Sequence, residues 1–333
     1  MEKKILILGG SGYIGTVLIN EILKKRIKVI NFDNHLFGDD IHNKNHIKDR
    51  DENYEFINSN ISEIEKFDKK LDNVSDVIIL AAIVGDPLSK KYPELTVKTN
   101  EEYIINCLNY LNKKDINRVI FVSTCSNYGL IKDNEIADES FALNPLSIYS
   151  KSKVNIENYI QSKKNFYNFS PVILRFATAF GLSPRMRFDL TVNEFSIDLL
   201  FKKTLEVYDA ETWRPYFHTK DFANTILQIM DIDKKLLKNE IFNVGVDDNN
   251  ATKNDILSII GDFADISKVK ILAKGKDKRN YKVSFKKINQ LLKLNDVMSI
   301  KDGVSEISNE FKLGKFDNYI DFKQLYGNYT IKS

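Results

Sequence analysis

Several features that mark particular protein classes are scarce in this 333-residue chain. It has two cysteines, Cys107 and Cys125, which cannot form the disulfide framework of a small secreted protein. No apolar run approaches the roughly 20 residues that a membrane-spanning helix needs. The apolar stretch over residues 5–8 is too short for the core of a signal peptide. We therefore expect a cytoplasmic protein and exclude the disulfide-rich, collagen-like and transmembrane classes.

An excess of charge of one sign is also missing. The chain has 49 basic and 46 acidic residues, which gives a formal net charge of +3. It therefore lacks the basic surplus that is typical of proteins that bind nucleic acid or anionic membranes. Eight of the basic residues are arginines. Because arginine is the better bidentate ligand for phosphate, its positions in this lysine-rich chain are more informative than those of lysine.

Apolar segments alternate along the chain in an order typical of an α/β fold. The strands expected over residues 4–8 and 28–32 enclose a helix over 16–25, and this βαβ unit implies a parallel sheet. The pattern predicts a doubly wound parallel sheet of the Rossmann type. Its further strands are expected over 55–57, 76–81, 118–123 and 172–175, and its helices over 100–111 and 150–162.

Three glycines, Gly9, Gly12 and Gly15, stand between the first strand and the first helix. A turn with positive φ, a close backbone approach to a pyrophosphate and tight packing of helix on strand all require glycine. The helix N-terminus then offers free N–H groups to the phosphates. A glycine-rich turn without a ligand is the alternative. The strand before the loop, the helix after it and the acid at Asp33 together favour a dinucleotide site.

Asp33 ends the second predicted strand, 18 residues after Gly15. A carboxylate at this position accepts hydrogen bonds from the adenosine ribose of NAD, and it repels the 2′-phosphate of NADP. No arginine follows within residues 34–37 to offset its charge. The sequence therefore predicts NAD as the cofactor.

The predicted sheet gives an NAD-binding domain over 1–180, with a return to it around 216–246. Residues 181–330 are expected to form mainly a smaller α/β domain that binds the substrate. The aromatic tail over 312–333 either packs on the body or is disordered. The smaller domain includes strands expected over 205–208, 241–244 and 269–272, and helices over 221–230, 253–262 and 285–292.

Tyr149 and Lys153 are four residues apart, so a helix places the phenol and the ammonium group on one face. A nearby cation lowers the pKa of a tyrosine, which could then take a proton from a hydroxyl while hydride leaves the same carbon. The Tyr-x-x-x-Lys spacing occurs six times in the chain, so it carries little weight alone. Position selects Tyr149, because it opens a predicted helix and follows the strand end at 123–129, which faces the cofactor crevice of a parallel sheet.

The motifs, and the order in which they follow one another along the chain, resemble those of the extended short-chain dehydrogenase/reductases, the group of nucleotide-sugar epimerases and dehydratases. The resemblance covers nearly the whole chain, firmly to about residue 245. It implies that Tyr149 is the catalytic base, that Lys153 holds the nicotinamide ribose and tunes Tyr149, and that Thr124 hydrogen-bonds the sugar. The NAD-binding residues that it implies are Gly9, Gly12, Tyr13, Ile14, Gly15, Asp33, Asn34, Asn60, Ile61, Leu80, Ala81, Ala82, Asn100, Ser123, Tyr149, Lys153 and Phe176.

The resemblance also implies a nucleotide-diphosphate sugar as the substrate and a homodimer formed by the helices around 100–111 and 150–162. Two arginines from distant segments, Arg214 and Arg279, suit a pyrophosphate, although surface ion pairs are the alternative. The segment from Arg185 to Asp189 resembles a sub-branch of bacterial surface-polysaccharide enzymes. The implied substrate contacts are Thr124, Thr178, Arg185, Asn193, Arg214 and Arg279.

The family's 4,6-dehydratases carry Asp and Glu after the threonine, whereas this chain has Cys125 and Ser126. The acid and base that eliminate water are therefore missing. We expect a nucleotide-sugar epimerase that acts through a transient 4-keto sugar. A 4-dehydrogenase or reductase of the same substrates stays open, while a 4,6-dehydratase and a non-catalytic NAD-binding protein are disfavoured. Cys125 is expected to pack in the core, with a proton-donor role as the alternative.

The histidines do not indicate a metal site. His35, His42 and His46 fall in a polar segment without a helical apolar face, so we expect a solvated loop there. No metal cofactor is therefore predicted.

Overall fold

The computed structural model describes residues 3–37, 51–132, 134–273, 279–292, 294 and 296–331. In chain order its strands are β1 (Lys4–Leu8), β2 (Lys28–Asp33), β3 (Tyr54–Asn58), β4 (Asp76–Ile79), β5 (Arg118–Thr124), β6 (Ile136–Ala137), β7 (Ser170–Phe176), β8 (Thr178–Phe180), β9 (Leu205–Tyr208), β10 (Trp213–His218), β11 (Ile241–Val244), β12 (Asn250–Thr252), β13 (Val269–Leu272) and β14 (Lys282–Val283).

The α-helices are interleaved with these strands, as doubly wound folds require. They are α1 (Tyr13–Lys24), α2 (Asp86–Lys91), α3 (Pro93–Val97), α4 (Tyr103–Leu111), α5 (Ile148–Ser162), α6 (Thr191–Leu200), α7 (Thr219–Asp231), α8 (Lys234–Leu237), α9 (Lys253–Ile260), α10 (Lys286–Leu291) and α11 (Ile300–Lys312). Within the described residues, none is both long enough and apolar enough to cross a membrane.

A seven-stranded parallel sheet, in the order β11-β7-β5-β4-β1-β2-β3, forms the centre of the fold. The strand order reverses between β1 and β4, and ligands of doubly wound sheets bind at this switch point. The predicted doubly wound parallel sheet is confirmed. Strand β11 extends it beside β7, inside the predicted return around 216–246. The predicted division at residue 180 stays a prediction.

Alternate side chains of β1 pack into two different cores. Ile5 and Ile7 face α1 and α7 and lie in one buried apolar cluster, while Leu6 and Leu8 lie in a second cluster with α4 and α5. All four are fully buried. A strand that is covered on both faces has to be apolar throughout, and this explains the continuous run at residues 5–8.

The described residues also form short sheets beside the central one. Strands β8, β10 and β12 form a three-stranded sheet, and β9 pairs with β13 in parallel. Helix α11 packs against α6 and α9. Its buried residues Ile300, Val304 and Ile307 recur at helical spacing and form the face that makes this contact.

The described part of the tail packs on the body. The ring of Phe188 lies 5.0 Å from that of Phe316, 5.1 Å from that of Tyr319 and 5.6 Å from that of Tyr326, measured between centroids. The backbone N–H of Phe188 also donates a hydrogen bond of 2.6 Å to the carbonyl oxygen of Tyr326. Of the two alternatives for residues 312–331, packing is therefore the one that the structure supports.

Candidate active site

A cavity of about 700 Å³ opens at the carboxyl ends of the parallel strands. Most residues that the sequence assigns to a site line this one cavity. They are Gly9, Gly12, Tyr13, Ile14, Gly15, Asp33, Asn34, Asn60, Ile61, Leu80, Ala81, Ala82, Ser123, Thr124, Tyr149, Lys153, Phe176, Thr178, Arg185, Arg214 and Arg279.

The three glycines of the first loop have different surroundings. A Cβ on Gly9, whose φ is +86°, would lie 2.5 Å from the backbone nitrogen of Ala81, and a Cβ on Gly15 would lie 2.4 Å from the carbonyl oxygen of Gly10. A Cβ on Gly12 would meet only the Gly9 carbonyl oxygen, 3.5 Å away, and otherwise points into open space. Gly12 also begins α1 without a side-chain cap. The helix terminus and this open cradle fit a dinucleotide pyrophosphate.

Asp33 ends β2 with its carboxylate fixed by the backbone. Its Oδ2 accepts a hydrogen bond of 2.9 Å from the N–H of Ser11, and its Oδ1 accepts one of 2.8 Å from the N–H of His35. Each carboxylate oxygen keeps a second lone pair that a ribose hydroxyl can use. The acid thus holds the glycine loop and also faces the cavity.

Tyr149 and Lys153 lie on the first turns of α5. A capping box formed by Ser147 and Ser150 starts this helix. The side chain of Tyr149 shares a hydrogen bond with that of Thr124 at the end of β5. The ammonium group of Lys153 lies 6.0 Å from the centroid of the Tyr149 ring. The helix and the strand end therefore bring the three predicted catalytic residues together.

Burial acts on the pKa values of both members of the Tyr–Lys pair. It raises the pKa of Tyr149 to about 12, against the hydrogen bond from Thr124 and the positive charge of Arg187, which lower it. It lowers the pKa of Lys153 to about 7, against the negative charge of Glu157. At neutral pH Tyr149 is therefore protonated, and Lys153 gives up its proton far more readily than an exposed lysine.

Glu157, one turn after Lys153, is the centre of a buried polar network. Its carboxylate accepts hydrogen bonds of 2.6–3.2 Å from the guanidinium of Arg175. It also accepts bonds from Ser123 Oγ (2.5 Å) and from Asn127 Nδ2 (2.8 Å). Ser123 lines the cavity, but its hydroxyl proton is directed to Glu157. The network therefore fixes α5 against β5 and β7.

Neither residue after Thr124 provides a carboxylate. Cys125 is buried, and its thiol donates a hydrogen bond of 3.1 Å to the carbonyl oxygen of Arg175. Burial also raises the pKa of this thiol, which keeps it protonated. Ser126 lines the cavity, and its hydroxyl lies 3.2 Å from that of Tyr281. The structure thus places Cys125 in the core and not in the cavity.

Two predicted ligand contacts, Asn100 and Asn193, lie outside the cavity wall. Asn100 exchanges hydrogen bonds of 2.8 and 3.0 Å with the backbone of Ile83. Asn193 accepts a bond of 2.9 Å from the N–H of Gly181 and donates to the hydroxyl of Tyr13, also at 2.9 Å. Both side chains are buried. In this geometry they brace loops around the cavity, and their contact with a ligand stays a prediction.

The three predicted substrate arginines do not form one group. Arg185 lies 5.5 Å from the centroid of the Phe37 ring, and its N–H donates to Ser183, whose hydroxyl donates to the backbone of the glycine loop. The charges of Arg214 and Arg279 both lower the pKa of Tyr281, which burial raises overall. Arg214 and Arg279 therefore share one end of the cavity, and Arg185 lies beside the glycine loop.

The cavity wall also contains polar residues that the motifs did not select. Asp86 forms an ion pair of 3.2 Å with Arg279. Arg187 forms hydrogen bonds of 3.0 and 2.6 Å with Asp189. The scarcity of arginine is a signal for Arg187, and the segment from Arg185 to Asp189 includes both members of this pair, but no motif points to the others. The set includes Asp86, Lys91, Arg187, Asp189, Thr191, Glu194, Asn328 and Tyr329.

No metal centre is found among the residues that the structure describes: no group of three or more His, Cys, Asp or Glu side chains could hold an ion there. His42 and His46 lie outside the described residues.

A helix terminus opened by glycines and a helical Tyr–Lys pair, which line one cavity, are typical of dinucleotide-dependent enzymes of the short-chain dehydrogenase/reductase class. Residues 5–245 match the model of the NAD dependent epimerase/dehydratase family, and the chain belongs to this family. It is therefore an NAD-dependent enzyme.

Individual relatives cover almost the full chain. The uncharacterized UDP-glucose epimerase YtcB of Bacillus subtilis is 28% identical over 319 residues, which are 91% of this chain and 96% of that protein. A UDP-glucuronic acid 4-epimerase from Bacillus cereus, crystallised with UDP-glucuronic acid and NAD, has a TM-score of 0.82 at 23% identity and covers 93% of this chain and 99% of its own. A dTDP-glucose 4,6-dehydratase from Streptomyces venezuelae, bound to NAD, has a TM-score of 0.82 at 23% identity and covers 97% and 99%. The fold is thus common to epimerases and dehydratases.

Proposed function

We propose that this protein is a nucleotide-sugar epimerase that acts through a transient 4-keto sugar. The observation that carries the proposal is that Tyr149 on α5, Thr124 at the end of β5 and Lys153, one helical turn after the tyrosine, line one cavity. This arrangement supplies a proton acceptor at a carbon from which hydride can leave.

The cofactor half of the cavity fits NAD. The N-terminus of α1, with the open space at Gly12, would hold the pyrophosphate. Asp33 would accept hydrogen bonds from the adenosine ribose, and Lys153 would donate to the nicotinamide ribose. The chemistry that NAD supplies when bound is reversible acceptance of hydride from the sugar carbon.

The proton is moved by Tyr149. A pKa of about 12 makes this tyrosine a poor base at neutral pH, so it needs a neighbouring positive charge. Lys153 in its protonated form supplies that charge, and Arg187 adds to it. The hydrogen bond with Thr124 orients the phenol and leaves it positioned to accept the proton of the 4-hydroxyl and to return it.

The substrate half fits a nucleotide diphosphate. Arg214 and Arg279 lie near the same tyrosine, Tyr281, and come from distant parts of the chain. Two guanidinium groups that approach from different sides suit the oxygens of a pyrophosphate. The sugar would then extend towards Thr124 and Tyr149.

Elimination of water is not supported by the residues that face the cavity. The two positions after Thr124 hold a buried thiol and a hydroxyl. The cavity carboxylates of Asp86 and Asp189 are each paired with an arginine. This favours epimerisation over 4,6-dehydration.

We also propose that the protein forms a homodimer through the outer faces of α4 and α5. Light scattering at micromolar concentration tests this proposal, and a monomer would contradict it.

The proposed activity is tested with a panel of UDP-, GDP-, CDP- and dTDP-hexoses incubated with the enzyme and NAD in heavy water. An isobaric product with a new retention time is expected, without incorporated deuterium, and Tyr149→Phe should abolish it. A product lighter by two hydrogens together with NADH would show a 4-dehydrogenase instead. Loss of water would show a dehydratase.

A further inference from the structure

Glu157 is a buried acid on α5 that the proposed mechanism does not use. It follows Lys153 by one helical turn, so the two side chains lie on the same face of the helix. Lys153 is 3% exposed and Glu157 is 2% exposed. Burial of a charged group is costly unless partners compensate for it, and the partners of Glu157 lead back to the cavity.

The side chains of Lys153 and Glu157 bond to successive residues of β5. The ammonium group of Lys153 donates a hydrogen bond of 2.8 Å to the carbonyl oxygen of Val122, and the hydroxyl of Ser123 donates to the carboxylate of Glu157. Val122 and Ser123 both line the cavity, and so does Thr124, which follows them at the end of the strand. The lysine and the acid therefore hold the cavity end of β5 together.

Glu157 also acts on Lys153 through its charge. Burial favours the neutral amine of Lys153, and the negative charge of Glu157 opposes this effect. The guanidinium of Arg175 lies 2.6 Å from the carboxylate and compensates for the burial of its charge. The pair thus keeps a negative charge one turn from the catalytic lysine, inside the protein.

Other charged and titratable groups surround this face of the helix. They are Tyr149 on α5 itself, Arg175 on β7, Cys125, Tyr128 and Glu139 after β5, Asp86 on α2, and Arg187 and Tyr281. Asp86, Arg187 and Tyr281 act on the pKa of Tyr149, whereas Glu157 acts on the pKa of Lys153. The acid and the lysine therefore form an electrostatic pair of their own.

We propose that Glu157 is a positioning residue that keeps Lys153 in its ammonium form, the form that donates to the nicotinamide ribose and supports Tyr149. The inference rests on the role proposed above for Lys153, but it does not depend on which sugar is the substrate. A neutral amine would be a weaker donor to the ribose and would leave Tyr149 without the positive charge that it needs.

NAD titrations by calorimetry between pH 5 and 8 test the inference on the full chain. In the wild type, NAD affinity should fall as pH rises above about 7. Glu157→Gln removes the charge, so this fall should begin about one pH unit lower. The NAD affinity of the variant should then be about tenfold below that of the wild type at pH 8 and nearly equal to it at pH 5. Glu157→Asp keeps the charge and should restore most of the wild-type curve.

Further variants separate this effect from a loss of structure. Glu157→Gln leaves the buried guanidinium of Arg175 without its partner, which destabilises the fold. The double variant Glu157→Gln, Arg175→Met removes both charges and should shift the curve in the same direction, because Glu157 is the group that acts on Lys153. Glu101→Gln removes an equal charge that contacts the same helix through Asn155, and it should leave the curve unchanged. Thermal unfolding without NAD shows which variants are folded.

A loss of NAD affinity by the same factor at every pH would overturn the inference, because Glu157 would then have only a structural role. An unchanged curve in the folded variants would overturn it too. If the affinity of the wild type did not depend on pH in this range, the proposed role of Lys153 would fail, and the inference with it. Conversion of nucleotide sugars, which tests the proposed function, does not enter these measurements.

Discussion

The ammonium group of Lys153 donates a hydrogen bond to the carbonyl oxygen of Val122, 2.8 Å away. This bond joins α5 to β5 behind the catalytic tyrosine. Lys153 is buried, and its pKa is lowered to about 7 by that burial. The residue that should hold the nicotinamide ribose is therefore poised to change its charge near neutral pH.

Binding of NAD should take up protons. If Lys153 donates to the ribose as an ammonium group, its pKa rises on binding from about 7 towards its ordinary 10.5. No uptake is expected well below pH 7, where the lysine is already charged, and NAD affinity should fall as pH rises above 7. Calorimetry of NAD binding at about pH 8, in two buffers of different protonation enthalpy, measures this uptake. Lys153→Met should abolish it, and equal enthalpies in both buffers for the wild type would contradict it.

Substitutions of two glycines in the first loop should affect NAD affinity and fold stability separately. Gly12→Ala places a methyl group in open space of the cavity, so NAD affinity should fall about tenfold or more, while the N-cap change costs about 0.5–1 kcal/mol. Gly15→Ala drives a Cβ into the Gly10 backbone and should destabilise the fold by about 1–3 kcal/mol. Thermal unfolding without nucleotide and NAD titration distinguish the two. Equal destabilisation by both changes would contradict this reading of the loop.

Asp33 should set the preference for NAD over NADP. Asp33→Asn removes the charge that favours ribose hydroxyls and repels a 2′-phosphate, so NAD affinity should fall about tenfold and NADP affinity should not. The ratio of the two dissociation constants is the measurement. Asp265→Asn is the matched control, because Asp265 also accepts a backbone N–H, that of Ser267, but lies outside the cavity. An unchanged ratio in Asp33→Asn would count against the assignment.

Acid should weaken the contact between α11 and the rest of the fold. Burial would raise the pKa of Glu306, but hydrogen bonds from His218 and Lys220 outweigh it and lower the pKa to about 2. A carboxyl group with a lowered pKa stabilises the fold above its ordinary value of 4.5, and this contribution is lost as pH falls towards 2. Glu306→Gln should therefore flatten the pH dependence of the unfolding temperature between about pH 5 and 3. Glu310→Gln, which removes an exposed pair with Lys315, should not.

The buried strands could be predicted from the sequence because burial on both faces leaves continuous apolar runs. Strands β1 and β11, which are buried from their second residue onwards, have the predicted bounds. Strand β10 carries Arg214, Pro215 and His218 within six residues and has no such run. Its residues depend on contacts with β8 and β12, which lie far away in sequence. The pattern of apolar residues in the sequence therefore does not indicate strand β10.

The residues of the cavity could be predicted where a local motif carries the chemistry, as at Gly12 and Tyr149. The roles of the other residues depend on contacts between distant parts of the chain. Arg175 belongs to the scarce arginines, yet its partner is Glu157 on α5, and the pair is buried. Asn328 and Tyr329 reach the cavity through packing of the tail on Phe188. No spacing in the sequence indicates that contact.

The most direct test of the account uses a nucleotide hexose that carries deuterium at C4. Mass spectrometry and product separation follow its conversion by the wild type and by Tyr149→Phe in ordinary water. The account predicts a C4 epimer that retains the deuterium, no NADH in solution, and no product from the variant. A product that has lost the deuterium, with labelled NADH released, would contradict it, because the sugar would then leave as the ketone instead of receiving its hydride back.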